Sequence, residues 1–436
     1  AVALSLALYV WMPYETSVTK GLCLLVFIGA LWLSEAIPLP VTALLVPVGA
    51  LALGIPGMTT VKALTPFADP IVFLFLGGFA LASALRVQQL DRKMAVFLLA
   101  LSNGHLGRTV WLLFAVTGLL SMAISNTATA AMVLPLALGI LGPLDPQRER
   151  RTFAFVLLGV AYAASIGGMG TLVGSPPNAI AARAAGIGFS QWLWIGLPLV
   201  LVLMPLMVFV LSMVLRPNLD RRIAVTATDI PWTWPRVITL SVFVFTALGW
   251  TFGAEPLKDL GIQSPDTVFA LVAAIAVVAL RLASWRNVSE HTDWGVLILF
   301  GGGLALGEVL ASSGASLVLG QQLAGVLQGA APWAMLLTIA MFMVLLSEFA
   351  SNTAAAALLV PVFAAVATQM GLPAEMLVVV VALAASCGFA LPVATPPNAL
   401  VFGSGRVRQR DMLRAGLSLD LVCVAVLTLW GLISMW

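Results

Sequence analysis

The chain has 436 residues, of which 61% are hydrophobic and only 9% charged; soluble domains carry roughly a quarter charged residues, so a water-soluble fold is excluded. The formal charge of +3 comes from 21 basic and 18 acidic residues, with no long basic run carrying interleaved aromatics, so nucleic acid is not an expected partner. Cys23, Cys387 and Cys423 each sit inside apolar sequence, and His105 and His291 lack a second ligand at metal spacing, so neither a disulfide framework nor a zinc site is expected.

In chain order, apolar segments that read as membrane spans fall at 1–13, 20–37, 39–55, 70–86, 152–172, 191–215, 237–253, 265–283, 293–312, 374–391 and 411–436. Two longer stretches, 106–141 and 332–369, carry a polar Ser-Asn-Thr near the middle. At about 1.5 Å per residue, such a stretch is nearly twice as long as the ~30 Å hydrocarbon core. Each is therefore expected to enter, turn at its polar centre and return as a re-entrant hairpin. The 13 tryptophans largely flank the segments, as an aromatic belt does.

With eleven spans and two hairpins, 17 of the 21 basic residues fall on one side, and only Lys20, Lys62, Arg183 and Lys258 fall on the other. The positive-inside rule makes the first side cytoplasmic. The amino terminus is then cytoplasmic and the carboxyl terminus outside. Counting each long stretch as two full spans preserves this parity, so charge leaves that version open.

The chain repeats itself. Phe75-Leu76-Gly77-Gly78 resembles Phe300-Gly301-Gly302-Gly303, Ser125-Asn126-Thr127-Ala128 recurs as Ser351-Asn352-Thr353-Ala354, and Ser175-Pro176-Pro177-Asn178 recurs as Thr395-Pro396-Pro397-Asn398. The offsets are 225, 226 and 220 residues, in one order. Each half, 20–215 and 237–436, holds five spans and one hairpin; five is odd, so the second half enters the membrane from the opposite side. Inverted repeats of this kind build secondary carriers.

Two consecutive prolines remove two amide donors and clash with the preceding turn, so 174–177 and 394–397 are expected to break their helices. Irregular backbone at membrane depth is tolerated only where it is buried in protein or lines a site. Helix amino termini attract carboxylates, and unwound carbonyls with hydroxyls suit sodium. No basic residue lies near either Ser-Asn-Thr, so the charge of a bound anion must be met by dipoles, amides, hydroxyls and accompanying cations. Glu348, three residues before Ser351, reads either as a proton-relay group or as a brace for its hairpin.

Paired Ser-Asn-Thr hairpins with paired Ser/Thr-Pro-Pro-Asn breaks resemble the divalent anion/sodium symporter family, over essentially the whole chain. The resemblance implies an all-α polytopic membrane protein with 11 transmembrane helices, two re-entrant hairpins and two inverted repeats, working as an elevator. It assigns 1–104 and 216–331 to a scaffold domain, and 105–215 and 332–436 to a transport domain. It places one sodium at Ser121, Ser125, Asn126 and Gly174, and a second at Ser347, Ala350, Asn352 and Ala394. Substrate carboxylates would be held by Asn126, Thr127, Asn352 and Thr353, with Ser175, Pro176, Thr395 and Pro396. It further implies co-transported sodium ions, a small succinate-like dicarboxylate, a homodimer, the bacterial inner membrane and no enzymatic activity. Ser175 and Ser347 stand where threonine is common in the family, a departure that bears on substrate size. A proton-coupled or exchange-type carrier of the same fold, taking citrate, tartrate or sulfate, remains the alternative, and Glu348 is the feature favouring it.

Overall fold

The structure, a computed structural model, describes all residues except 1–4, 6–8, 10, 103, 223–229, 328 and 434–436. The expected span 1–13 therefore lies largely outside the described residues. The first half runs α1 (Thr16–Ser34), α2 (Leu39–Ala52), α3 (Pro70–Val87), α4 (Leu90–Ala100), α5 (Leu106–Ser121), α6 (Asn126–Leu141), α7 (Arg150–Gly168), α8 (Pro176–Ala185) and α9 (Phe189–Leu215). The second half runs α10 (Trp234–Phe252), α11 (Pro265–Ala279), α12 (Trp294–Ser313), α13 (Ala315–Leu327), α14 (Pro332–Phe349), α15 (Asn352–Gln369), α16 (Ala374–Ala385), α17 (Pro396–Gly403) and α18 (Gln409–Ile433). Nine of the described helices are long and apolar enough to cross a membrane.

Prolines set many of these boundaries. Pro70, Pro176, Pro265, Pro332 and Pro396 each occupy the first position of a helix, where the missing amide is not needed and the fixed φ suits the helix. The residues before the double prolines are extended, Ser175 at φ −145° and ψ 135°, Thr395 at φ −140° and ψ 148°, as the steric clash with a following proline demands. The expected spans 152–172 and 374–391 accordingly stop as helices at Gly168 and Ala385, and irregular segments lead from there to the double prolines.

Several short helices went unanticipated, and two of them form a pair. Helices α4 and α13 each follow the third long helix of their half and precede the hairpin, and they start 225 residues apart, at Leu90 and Ala315. With 11 and 13 residues they reach only about 16–20 Å, too short to cross the core. They form a fourth repeated feature.

The halves exchange partners. Helix α3 packs on α11 and α12 on α2, while α8 packs on α16 and α17 on α7. The duplicated glycines explain the first exchange. A Cβ on Gly77 would lie 2.4 Å from Ala270 O in α11, and one on Gly302 would lie 2.5 Å from Ala43 Cβ in α2. Between membrane helices, where apolar burial gives little drive, such close approach is what packing gains from small residues. At the centre stand α7 and α16, buried along nearly their whole length from Thr152 to Gly168 and from Met376 to Ala385. The buried Tyr162 hydroxyl of α7 donates to Phe389 O just past α16, at 2.7 Å, and ties the two halves together. Helix α10 has the opposite character. It exposes Val244, Phe245, Leu248 and Phe252, an apolar face suited to lipid.

Candidate functional site

Each half builds one polar cluster from a hairpin tip and a broken helix. In the first, the Ser121 hydroxyl at the end of α5 lies 2.7 Å from the Asn126 side-chain amide group and donates to Ala164 O of α7 at 2.6 Å. In the second, the Ser347 hydroxyl lies 2.7 Å from Asn352 Oδ1 and donates to Ala385 O at 2.5 Å. The two constellations match bond for bond. The Asn126 amide faces Ser121 Oγ at 2.7 Å, Ala164 O at 3.1 Å and Gly174 O at 3.2 Å. Hard oxygens gathered this closely, with no carboxylate among them, suit a monovalent cation. The amide nitrogen can donate to these oxygens when the place is empty, and Oδ1 can turn in when a cation is present.

The eight residues assigned to substrate occupy one structural role. Ser175 and Thr395 are the N-caps of α8 and α17, and Pro176 and Pro396 their first residues. Asn126 with Thr127, and Asn352 with Thr353, are the first two residues of α6 and α15. All eight thus sit at four helix amino termini. Each terminus carries about half a positive charge, so the four together supply about two. Thr127 and Pro396 are exposed, and Asn126, Asn352, Thr353 and Pro176 half-buried. Ser121, Gly174, Ser347, Ala350 and Ala394 are buried beneath them, and Ser125 is half-buried. The hydroxyls of Ser175 and Ser386, from opposite halves, lie 3.5 Å apart.

Each break is clamped by an asparagine that the sequence displayed without revealing its role. Asn178 Nδ2 donates to Gly168 O at 2.8 Å and to Thr171 O at 2.7 Å. Asn398 Nδ2 donates to Gly388 O and Leu391 O, both at 3.0 Å. Both asparagines are fully buried. Their recurrence in the two Pro-Pro-Asn motifs was the available signal. They fold the unwound segment back onto the helix end by occupying two of its orphan carbonyls.

Glu348 links the two segments of the second cluster. Its carboxylate accepts the Ala390 and Leu391 amides, each at 2.8 Å, and so fastens the second hairpin to the second break. The first half makes the same connection, with the break again donating, but there the side chain comes from the break. There Met122 replaces Glu348, and the Thr171 hydroxyl donates to Met122 O while accepting the Gly174 amide at 3.1 Å. Two different side chains, one on the break and one on the hairpin, thus solve one geometric problem.

A family model described as citrate transporter matches residues 30–384 and 327–436. The chain belongs to the citrate transporter family. It is 49% identical to an uncharacterized transporter of Haemophilus influenzae over 96% of this chain and 92% of that one. It is 31% identical to a sodium-dependent dicarboxylate transporter of Staphylococcus saprophyticus, over 97% of this chain and 88% of the other. Its fold is similar to that of the YdaH transporter of Alcanivorax borkumensis, with a TM-score of 0.59 at 16% identity over 85% of this chain and 86% of that one. The protein is a multi-pass membrane transporter and not an enzyme.

Proposed function

We propose that this transporter carries C4-dicarboxylates such as succinate together with sodium, by an elevator motion in the inner membrane. The observation that carries the reading is the doubled cluster, a buried set of hydroxyl, amide and carbonyl oxygens beside helix amino termini in each half. Neither hairpin tip supplies a fixed cation, since no lysine or arginine occurs between residues 109 and 147 or between 287 and 405. A divalent anion would be met by the amino termini and by two accompanying cations. The likeness to sodium-dependent dicarboxylate transporters supports sodium as the partner ion.

On this reading Ser121, Ser125, Asn126 and Gly174 hold one sodium, and Ser347, Ala350, Asn352 and Ala394 the other. Asn126 and Asn352 then serve an ion and a carboxylate at once. Helices α5–α9 and α14–α18, which pack mainly on one another, form the moving body. Helices α1–α3 and α10–α12 form the scaffold and the dimer contact, and α4 and α13 are the connecting arms.

Binding free energies are reciprocal, so sodium must tighten the dicarboxylate by the factor with which the dicarboxylate tightens sodium. Calorimetry on purified protein, titrating succinate in sodium and then in choline, tests this. Succinate is expected to bind in sodium and hardly at all in choline. Equal affinity in both salts would sink sodium coupling, and citrate outcompeting succinate would move the substrate to the tricarboxylate of the family's description.

A further inference from the structure

At the end of α7 opposite its break, α7 and α18 begin where α9 ends. A cavity of about 350 Å³ opens there. Arg150 and Arg151 reach it from α7, Arg216 from the end of α9, and Arg408, Arg410 and Arg414 from the start of α18. Asp411 is the single acid in its lining, so six arginines against one aspartate leave five net positive charges. Arg150 is 3.7 Å from Asp411, yet its buried Nε has no hydrogen-bond partner. Among the described residues, the other five arginines make no ion pair.

Like charges gathered into one concavity repel, and arginines scattered for membrane orientation have no reason to share one. Arg148 and Arg286, elsewhere on the same side, each have an acid three or four residues away. The lining also includes Met213, 61% exposed on the last turn of α9, which carries an apolar edge from the cavity to the lipid-facing surface. The amino termini of α7 and α18 lie at this end as well, where helix dipoles favour an anion. Guanidinium forks and helix amino termini are the groups that recognise phosphate.

We propose that this cavity binds a phosphate-bearing anion, the headgroup of an anionic phospholipid from the leaflet on the basic side. The apolar edge at Met213 favours a lipid over a soluble phosphate, because an acyl chain would continue along it into the bilayer. The site is independent of the transported substrate.

The test uses the full chain in nanodiscs. Retention of cardiolipin against phosphatidylcholine is read by native mass spectrometry, and inorganic pyrophosphate is titrated in purely zwitterionic discs. The triple variant Arg408→Gln, Arg410→Gln, Arg414→Gln is expected to hold cardiolipin about a hundredfold more weakly, and Arg410→Gln alone about fivefold. Arg148→Gln with Arg286→Gln is expected to change nothing. If pyrophosphate also binds in zwitterionic discs and is lost in the triple variant, the phosphate site stands and its source is soluble. Equal retention by wild type and triple variant, or equal loss in the control pair, overturns the proposal. The single variant decides the matter should the triple one misassemble.

Discussion

Replacing Gly174 by alanine tests the first cluster at its tightest point. The new Cβ would lie 2.5 Å from Gly168 O, 2.9 Å from Ser121 O and 3.0 Å from Gly168 Cα. All three are backbone atoms, so no side chain can swing away and the break itself must open. Overpacking of this kind costs roughly 1–3 kcal/mol. Where that strain falls on the closed, ion-holding arrangement, it weakens sodium binding by about 5- to 150-fold, at 1.4 kcal/mol per tenfold. The second half supplies the control. An added Cβ on Gly388 would meet Ala394 Cβ at 3.2 Å and Ser347 O and Oγ at 3.3 Å, distances relieved by shifts of a few tenths of an ångström. Gly388→Ala is expected to change sodium affinity by less than about fivefold. Half-saturating sodium for succinate uptake in proteoliposomes reads both variants, with thermal stability in detergent as the check on folding. A Gly174→Ala protein with the sodium dependence of wild type would refute the assignment of a cation to this cluster.

Three further expectations are open to measurement. Asn126→Ala and Asn352→Ala should each lower uptake at least about tenfold at normal expression, since each removes a hydrogen bond or ligand to charge worth roughly 1.5–3 kcal/mol; full activity at either position removes that residue from the site. Glu348→Ala strands the Ala390 and Leu391 amides and should lower both melting temperature and uptake, whereas Glu348→Gln, which keeps one acceptor, should lower them less; unchanged stability in both would refute the brace. A cysteine at Arg148 should resist an impermeant thiol reagent in intact cells and one at Gln263 should react, against a quiet background because Cys23, Cys387 and Cys423 are buried; the reverse pattern would invert the orientation.

Local chemistry was legible in the sequence, and partnership across the chain was not. The double prolines announced both breaks, since a pyrrolidine ring dictates its neighbour's backbone wherever it stands. The serine, asparagine and threonine at each hairpin centre stood out because polar groups are costly inside apolar stretches. Helices α4 and α13 were missed because helices of 11 and 13 residues lack the length of a span. The exchange of partners between halves has no periodic signature. Tyr162 and Phe389 are 227 residues apart, and nothing in either segment names the other. The contacts of Glu348 were hidden for the same reason, because two of its partners are backbone amides about forty residues away. Spacing can show that a carboxylate is present but not which amides turn towards it.

The absence of lysine and arginine near both hairpin tips follows from what a carrier must do when empty. A fixed cation would hold a carboxylate well, but it would remain as a net charge during the return step. Moving one elementary charge across a membrane potential of 100 mV is worth about 2.3 kcal/mol, and burying it unpaired adds desolvation. Four helix termini and a set of neutral oxygens avoid that burden, since partial charges on backbone amides belong to neutral groups. Two sodium ions would bring the compensating charge in with a dicarboxylate and leave with it. The loaded site is then neutral in formal charge, and so is the empty one, while a site holding only the anion carries two negative charges faced by dipoles alone. On the proposed reading, coupling needs no separate gate: the partly loaded states are disfavoured by the electrostatics of the clusters around Asn126 and Asn352.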